Sequence, residues 1–246
     1  MKESFNVANW MKYPSMFQFY KQSLTEEIDL EPDIKFLSEP SIGRYPEYRL
    51  KNLEIPENIR NFLVKVGLPD QFIDWRSPDE EEDFKKEVTN GIIFWLSCLT
   101  IKQIAKKKYL IIGESKNLSR SCIICNYRQP DENKIWEKSE SCTLILVELK
   151  TGTIWQCIYK DTFIFVNSSL EQYLLSMAYW RAFYPSFTQK IHTFLQEHPD
   201  KIEEDYIFKH QKTLYKPFIK RLNALDPEAV QKRTSYWKFM CDLTLY

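Results

Sequence analysis

The stretch from Thr143 to Tyr184 constrains the fold more than any other part of the chain. It begins with a nearly continuous apolar run, Leu144 to Leu149, which is typical of a strand covered on both faces. Gly152 follows, and because glycine tolerates a positive φ, the sequence predicts a tight hairpin there. Two further strands are predicted at Ile154 to Tyr159 and at Thr162 to Val166. Three strands in close succession indicate a sheet built from neighbouring segments.

The spacing of apolar residues changes directly after these strands, at Asn167-Ser168-Ser169. Ser168 and Glu171 have the spacing of a capping box, which predicts a helix that begins at Ser168. The apolar residues that follow lie on one helical face: Leu170, Tyr173, Leu174, Met177 and Ala178. Each large apolar side chain buried on such a face stabilises the protein by roughly 1.5–3 kcal/mol. We therefore expect this face to belong to the core rather than to a ligand site.

Two other helix boundaries are clear from the sequence. A helix is predicted from Pro56 to Val66, because proline suits the first helical turn and apolar residues then recur every three or four positions. Gly67 is expected to end it in a left-handed conformation. A second helix start is predicted at Asp226-Pro227-Glu228, with the side chain of Asp226 as its cap. A strand is predicted from Tyr109 to Ile112, whereas residues 92–105 fit either a strand or a helix.

Composition excludes several classes of protein. Of the 246 residues, 43% are apolar and 15% aromatic, which is enough for a substantial core without metals or disulfides. Only five glycines are present, and the glycine patterns of nucleotide-binding loops are absent. The net charge is zero, so the chain lacks the overall basic excess of a general nucleic-acid binder. Residues 1–100 nevertheless hold 12 basic and 18 acidic side chains, whereas residues 101–246 hold 22 and 16.

We expect a cytoplasmic protein that does not insert into a membrane. The N-terminus lacks the basic start and apolar run of a signal peptide. The most apolar segment, from Gly91 to Ile101, is too short to span a bilayer. Six cysteines without a secretion signal are expected to stay reduced.

The cysteines and histidines do not predict a metal site. Cys122 and Cys125 form a C-x-x-C pair, but in a strand their side chains would point to opposite faces. Packing roles are therefore favoured over a zinc or a redox site. His192, His198 and His210 lack the i,i+4 spacing of helical metal ligands.

An acidic run is the most prominent charged feature: Asp79, Glu80, Glu81, Glu82 and Asp83. Its carboxylates lack the apolar surroundings that would raise a pKa for acid–base chemistry. The run fits either a solvated loop or a landing site for a basic partner. The sequence thus predicts no catalytic, cofactor-binding or metal-binding residue.

Four stretches together resemble the fourth group of the SUKH superfamily, whose best-known members are bacterial immunity proteins. They are Phe62 to Pro69, Tyr109 to Glu114, Phe165 to Leu174, and Leu225 to Ala229 with Trp237 downstream. The resemblance implies an α+β fold in a single domain, residues 49–246, with a central, mostly antiparallel sheet flanked by helices. Residues 1–48 are expected to pack on this domain as a helical and extended segment.

The resemblance also implies a role without catalysis, in which the protein binds and neutralises a cognate toxin, commonly a nuclease or a nucleic-acid deaminase. We expect no direct binding of nucleic acid. The run Asp79 to Asp83 becomes the candidate contact surface, because enzymes that act on nucleic acid present basic clefts. Alternatives are an intracellular scaffold or regulatory adaptor of the same fold and, less favoured, an enzyme or zinc protein that uses Cys122 and Cys125.

Overall fold

The computed structural model describes residues 14–23, 30–33, 42–69, 71–76, 88–94, 99–119, 143–158, 162–198, 204–231 and 235–243. The chain forms two compact units. The first comprises Met1–Ser4 and Glu39–Ile164, and the second comprises Phe5–Ser38 and Phe165–Tyr246. The domain bounds suggested by the sequence, residues 1–48 and 49–246, remain a prediction.

Nine strands are present in the described residues: β1 Ile42–Gly43, β2 Leu68–Pro69, β3 Gln71–Arg76, β4 Val88–Phe94, β5 Thr100–Ile104, β6 Lys107–Ser119, β7 Thr143–Glu148, β8 Ile154–Ile158 and β9 Thr162–Asn167. β1 and β2 form a small antiparallel pair. The other seven form one sheet in the order β3-β4-β6-β7-β8-β9, with β5 paired to β6. The pairs from β3 to β8 are antiparallel. These strands confirm the predicted α+β class with a mostly antiparallel sheet.

Eight helices accompany the strands in the described residues: α1 Pro14–Ser23, α2 Glu47–Leu50, α3 Glu57–Lys65, α4 Leu170–Glu197, α5 Glu204–Leu214, α6 Lys216–Leu225, α7 Glu228–Gln231 and α8 Tyr236–Leu243. The helices predicted after Pro56, after Ser168 and after Asp226 are all present. The residues that were ambiguous between strand and helix contribute to β4 and β5.

The long strand β6 organises the sheet of the first unit. Its first residues pair with β5 through a two-residue turn, Ala105-Lys106, in which both φ angles are positive. Its later residues pair with β4 on the same side, from Gly113 to Ser119. β7 pairs with its other side. Because β6 has neighbours along both edges, it is the centre of the sheet, and its residues Leu110, Ile111 and Ile112 are fully buried.

β7 is buried on both faces, as its apolar run predicted. All residues from Leu144 to Leu149 are buried, including the carboxylate-bearing Glu148. Glu148 is compensated by Lys107, whose ammonium lies 3.1 Å from its carboxylate. This hydrogen bond raises the pKa of Lys107 above its ordinary value. The pairing explains how a charged residue can occupy a strand that is otherwise apolar.

Gly67 ends α3 in the conformation that the sequence predicted. Its φ is +88°, and its backbone amide donates to the carbonyl of Phe62 over 3.0 Å. The position that a Cβ would take overlaps the carbonyl oxygen of Gly43 and lies 2.9 Å from the Gly43 carbonyl carbon. Gly43 belongs to β1 and pairs with Leu68 of β2, which directly follows Gly67, so the close approach of the two backbones requires glycine at position 67.

The core of the second unit is aromatic. Trp180 of α4 contacts rings from two other helices, with its centroid 5.2 Å from that of Phe218 and 6.3 Å from that of Trp237. The residues of α4 from Gln172 to Trp180 are buried. A helix buried around most of its circumference is typical of the centre of a helical core.

Candidate functional site

A buried polar cluster lies where β9 passes into α4. We call it the junction network, and it comprises Asn167, Ser168, Ser176, Asp226 and Trp237. All five residues belong to the second unit. The network brings together three segments that are far apart in the chain: the β9–α4 junction, the end of α6 and the start of α8.

Asp226 accepts three hydrogen bonds at the end of α6. Its Oδ2 accepts from the Ser168 backbone amide over 2.7 Å and from Asn167 Nδ2 over 3.0 Å. Its Oδ1 accepts from the Ser168 hydroxyl over 2.8 Å. The assignment of this carboxylate to helix capping was therefore wrong, because its oxygens bind groups 58 and 59 positions away along the chain.

Asn167 is the centre of the network. Besides Asp226, its Nδ2 group donates to the Ser176 hydroxyl over 3.0 Å. Its Oδ1 atom accepts from the indole Nε1 of Trp237, also over 3.0 Å. An asparagine amide offers two donors and one acceptor atom, and here both kinds of group have partners.

The cap of α4 is Ser169 rather than Ser168. The Ser169 hydroxyl accepts from the backbone amide of Gln172 over 3.2 Å, as an N-cap side chain does. The predicted cap was one residue too early, because the hydroxyl of Ser168 donates to Asp226 instead. Gln172 adds a further link when its Nε2 group donates to the carbonyl of Leu225 over 3.0 Å.

Replacing Ser169 with alanine is expected to lower the free energy of unfolding by about 1 kcal/mol, because the first turn of α4 loses its cap. Urea unfolding followed by circular dichroism measures the change. Ser186→Ala serves as the control, since Ser186 is exposed in the middle of the same helix. Equal stability of the two variants would contradict the assignment of Ser169 as the cap.

The junction network is closed to solvent except at Ser168, which is partly exposed. Asn167, Ser176 and Trp237 are fully buried, and Asp226 is 1% exposed. The buried groups of Asn167, Ser176, Asp226 and Trp237 are shielded from a substrate or partner, and each of the polar atoms named above has a hydrogen-bond partner. The arrangement therefore stabilises the fold of the second unit, which leaves recognition to exposed surfaces.

The sequence-predicted contact residues, Asp79 to Asp83, lie outside the described residues, as do Cys122 and Cys125. Cys157 and Cys241 are buried. Within the described part of the chain, no group of three histidine, cysteine, aspartate or glutamate residues could hold a metal ion.

Two of the three histidines stack on one phenylalanine. The ring centroid of Phe194 lies 4.7 Å from that of His198 and 3.8 Å from that of His210. The Nδ1 atom of His198 lies 3.1 Å from the carbonyl oxygen of its own turn, at Phe194. His192 is exposed. These positions agree with the surface and packing roles expected from the sequence.

An open depression of about 450 Å³ lies on the surface of the second unit. We call it the lysine depression, and it is lined by Ile219, Lys220, Asn223, Val230, Gln231 and Lys238. No local sequence pattern predicts it, because its two lysines belong to different helices, α6 and α8.

The model of the SUKH-4 immunity protein family matches residues 135–242. The match confirms, over these residues, the SUKH resemblance inferred from the sequence. It covers the strands β7 to β9 and the helices α4 to α8 up to residue 242, and hence both the junction network and the lysine depression.

Two of the four stretches that suggested the SUKH-4 family lie inside the matched residues, Phe165 to Leu174 and Leu225 to Ala229. The other two stretches, Phe62 to Pro69 and Tyr109 to Glu114, precede the matched residues. Neither a curated protein nor a solved structure gave a match to the chain. None of the helices in the described ranges combines the length and the apolar character needed to cross a bilayer.

Proposed function

We propose that this protein is an immunity protein that binds a cognate toxin in the cytoplasm and neutralises it without catalysis. The observation that carries the proposal is the match of residues 135–242 to the SUKH-4 immunity protein family. The structure supports it in one respect: the polar residues of the matched motifs, Asn167, Ser168 and Asp226, are engaged in the junction network. Asn167 and Asp226 are buried and Ser168 is held by Asp226, which is consistent with a protein that acts through its exterior.

The toxin in this proposal acts on nucleic acid, as a nuclease or a deaminase. Such an enzyme needs a cationic cleft to bind phosphates. The acidic run Asp79 to Asp83 supplies charge of the opposite sign and is the proposed contact. Charge attraction would speed association, whereas buried aromatic anchors would supply most of the affinity.

The direct test is neutralisation of a toxin in a cell. The gene next to the one that encodes this chain is expressed from an inducible promoter, with and without this chain. The proposal expects growth arrest that this chain relieves, and a complex of the two purified proteins. If the neighbouring gene product is not toxic, or if relief occurs without a complex, the proposal fails in favour of a scaffold or adaptor role.

Replacing the five acidic residues Asp79 to Asp83 with serine is expected to slow association with the toxin by about tenfold at low salt, because steering contributes roughly 10–10³ to on-rates. The dependence of the association rate on salt should flatten, while the dissociation rate changes little. Surface plasmon resonance at several salt concentrations measures both rates.

A matched control removes the same charge elsewhere. Five exposed glutamates are changed to glutamine: Glu47, Glu54, Glu57, Glu197 and Glu228. Equal slowing in the control would show a general effect of net charge and would exclude the acidic run as the specific contact.

A further inference from the structure

The lysine depression has a composition that selects its ligand. It is bordered by Lys220 of α6 and Lys238 of α8, and none of the described residues that line it carries a carboxylate. Lys220 is exposed and Lys238 is partly exposed, so both ammonium groups are available to a molecule that enters. Two positive charges on one surface favour an anionic ligand.

The remaining lining residues favour a polypeptide over an isolated anion. Asn223 and Gln231 are exposed, and each side-chain amide offers a donor and an acceptor. A peptide group presents the same pair of groups and can bind an amide side chain through both. A phosphate offers mainly acceptors and would use only the donors of these amides.

The wall of the depression is also partly apolar. Ile219 is partly buried and Val230 is 5% exposed, so aliphatic surface lies beside the two lysines. An aliphatic side chain of a ligand could cover this surface and gain about 25 cal/mol for each Å² of apolar area removed from water. Single-stranded nucleic acid gains its apolar contacts mainly by stacking bases on aromatic side chains, and the described residues that line the depression include none.

We propose that the lysine depression binds an extended acidic segment of a partner protein, in which carboxylates flank one aliphatic side chain. The carboxylates pair with Lys220 and Lys238, the aliphatic side chain lies on Ile219 and Val230, and the backbone binds the amides of Asn223 and Gln231. This surface is separate in sequence from the acidic run and does not depend on the toxin being the partner.

The test uses the full chain and a synthetic peptide in which one leucine is flanked on each side by three glutamates. Titration is followed by NMR at about 50 mM salt, where exposed charges are weakly screened. The proposal expects shifts of the backbone amides around the depression. It also expects Lys220→Glu with Lys238→Glu to weaken binding about tenfold, because two attractive pairs become repulsive.

Three comparisons make the result specific. The variant Lys190→Glu with Lys209→Glu changes the net charge equally at exposed positions of α4 and α5 and should bind the peptide with little change. A peptide with glutamine in place of glutamate should bind at least about tenfold more weakly. A peptide with serine in place of leucine should bind about fivefold more weakly, because it loses the apolar contact.

The proposal is overturned if both double variants weaken binding equally, since the attraction would then be non-specific. It is also overturned if the serine peptide binds as tightly as the leucine peptide, or if a single-stranded oligonucleotide of the same charge binds more tightly and displaces the peptide. Because this assay contains no toxin, its outcome is independent of the neutralisation test, and either proposal can fail while the other holds.

Discussion

Replacing Asp226 with alanine is expected to lower the free energy of unfolding by about 3–4 kcal/mol, one of the two largest effects of a single substitution predicted for this protein. The carboxylate accepts three hydrogen bonds and is 1% exposed. Its removal leaves the backbone amide of Ser168 without its acceptor and disturbs Asn167, and each buried unpaired donor costs about 1–3 kcal/mol. Hydrogen bonds to a charged acceptor are also the stronger kind.

The variant Asp226→Asn separates the loss of charge from the loss of the acceptor. Its oxygen can keep the bonds from Asn167 and the Ser168 amide, while its NH₂ group donates to the Ser168 hydroxyl, which can reverse its role. We therefore expect Asp226→Asn to lower the free energy of unfolding by about 1–1.5 kcal/mol. Urea unfolding followed by tryptophan fluorescence measures all three proteins.

A double-mutant cycle tests whether the bonds act together. Ser168→Ala should cost much less in the Asp226→Ala background than alone, with a coupling energy of about 1–2 kcal/mol. Additive effects of the two substitutions would contradict the described network. So would a stability of Asp226→Ala within 1 kcal/mol of the parent protein, a change that surface substitutions rarely exceed.

Replacing Gly67 with alanine is expected to lower the free energy of unfolding by about 3 kcal/mol or more. A φ of +88° disfavours any residue with a Cβ by about 1–2 kcal/mol. The added Cβ would in addition overlap the backbone of Gly43, which cannot move aside as a flexible side chain could. Relief of that overlap requires β1 and the end of α3 to separate, and this would disturb the pair β1–β2.

Gly152 supplies a matched control for Gly67. Its φ is +77°, but the nearest group to an added Cβ is the Asn58 amide nitrogen at 3.9 Å. The loss of unfolding free energy in Gly152→Ala therefore reflects only the unfavourable backbone conformation, about 1–2 kcal/mol. Thermal and urea unfolding of both variants isolate the cost of the overlap as the difference. Equal losses at the two positions would show that the contact with Gly43 contributes nothing.

Local patterns in the sequence predicted most of the elements, because the physical signals that define them lie within a few residues. The apolar run from Leu144 to Leu149 predicted a strand buried on both faces, and Gly67 and Gly152 predicted two positive φ angles. The change of period at Asn167 predicted the passage from strand to helix. Each of these predictions is confirmed.

Two details could not be read from local sequence, because their partners are distant in the chain. Ser168 and Glu171 have capping-box spacing, but Asp226 binds the Ser168 hydroxyl and the cap moves to Ser169. Likewise, the helix-start pattern Asp226-Pro227 does not indicate that the Asp226 carboxylate accepts hydrogen bonds from Asn167 and Ser168. The correct local prediction of a helix start and the wrong assignment of its side chain come from the same residues.

The lysine depression is a second feature that local sequence patterns could not predict. Its residues are separated by intervals that follow no single helical period, since they come from α6, α7 and α8. Only the packing of three helices brings Lys220 and Lys238 to one surface. The acidic run, by contrast, is easily recognised in the sequence because its residues are consecutive. That ease of recognition does not establish a function for the run.

The link between Trp237 and Asn167 has a consequence for how the protein is made. The two residues are 70 positions apart, so strand β9 leaves the ribosome well before its indole partner is synthesised. During that interval the Asn167 Oδ1 atom lacks its native donor, and the Trp180 ring lacks its contact with Trp237. The second unit is thus expected to mature only once translation of α8 is complete.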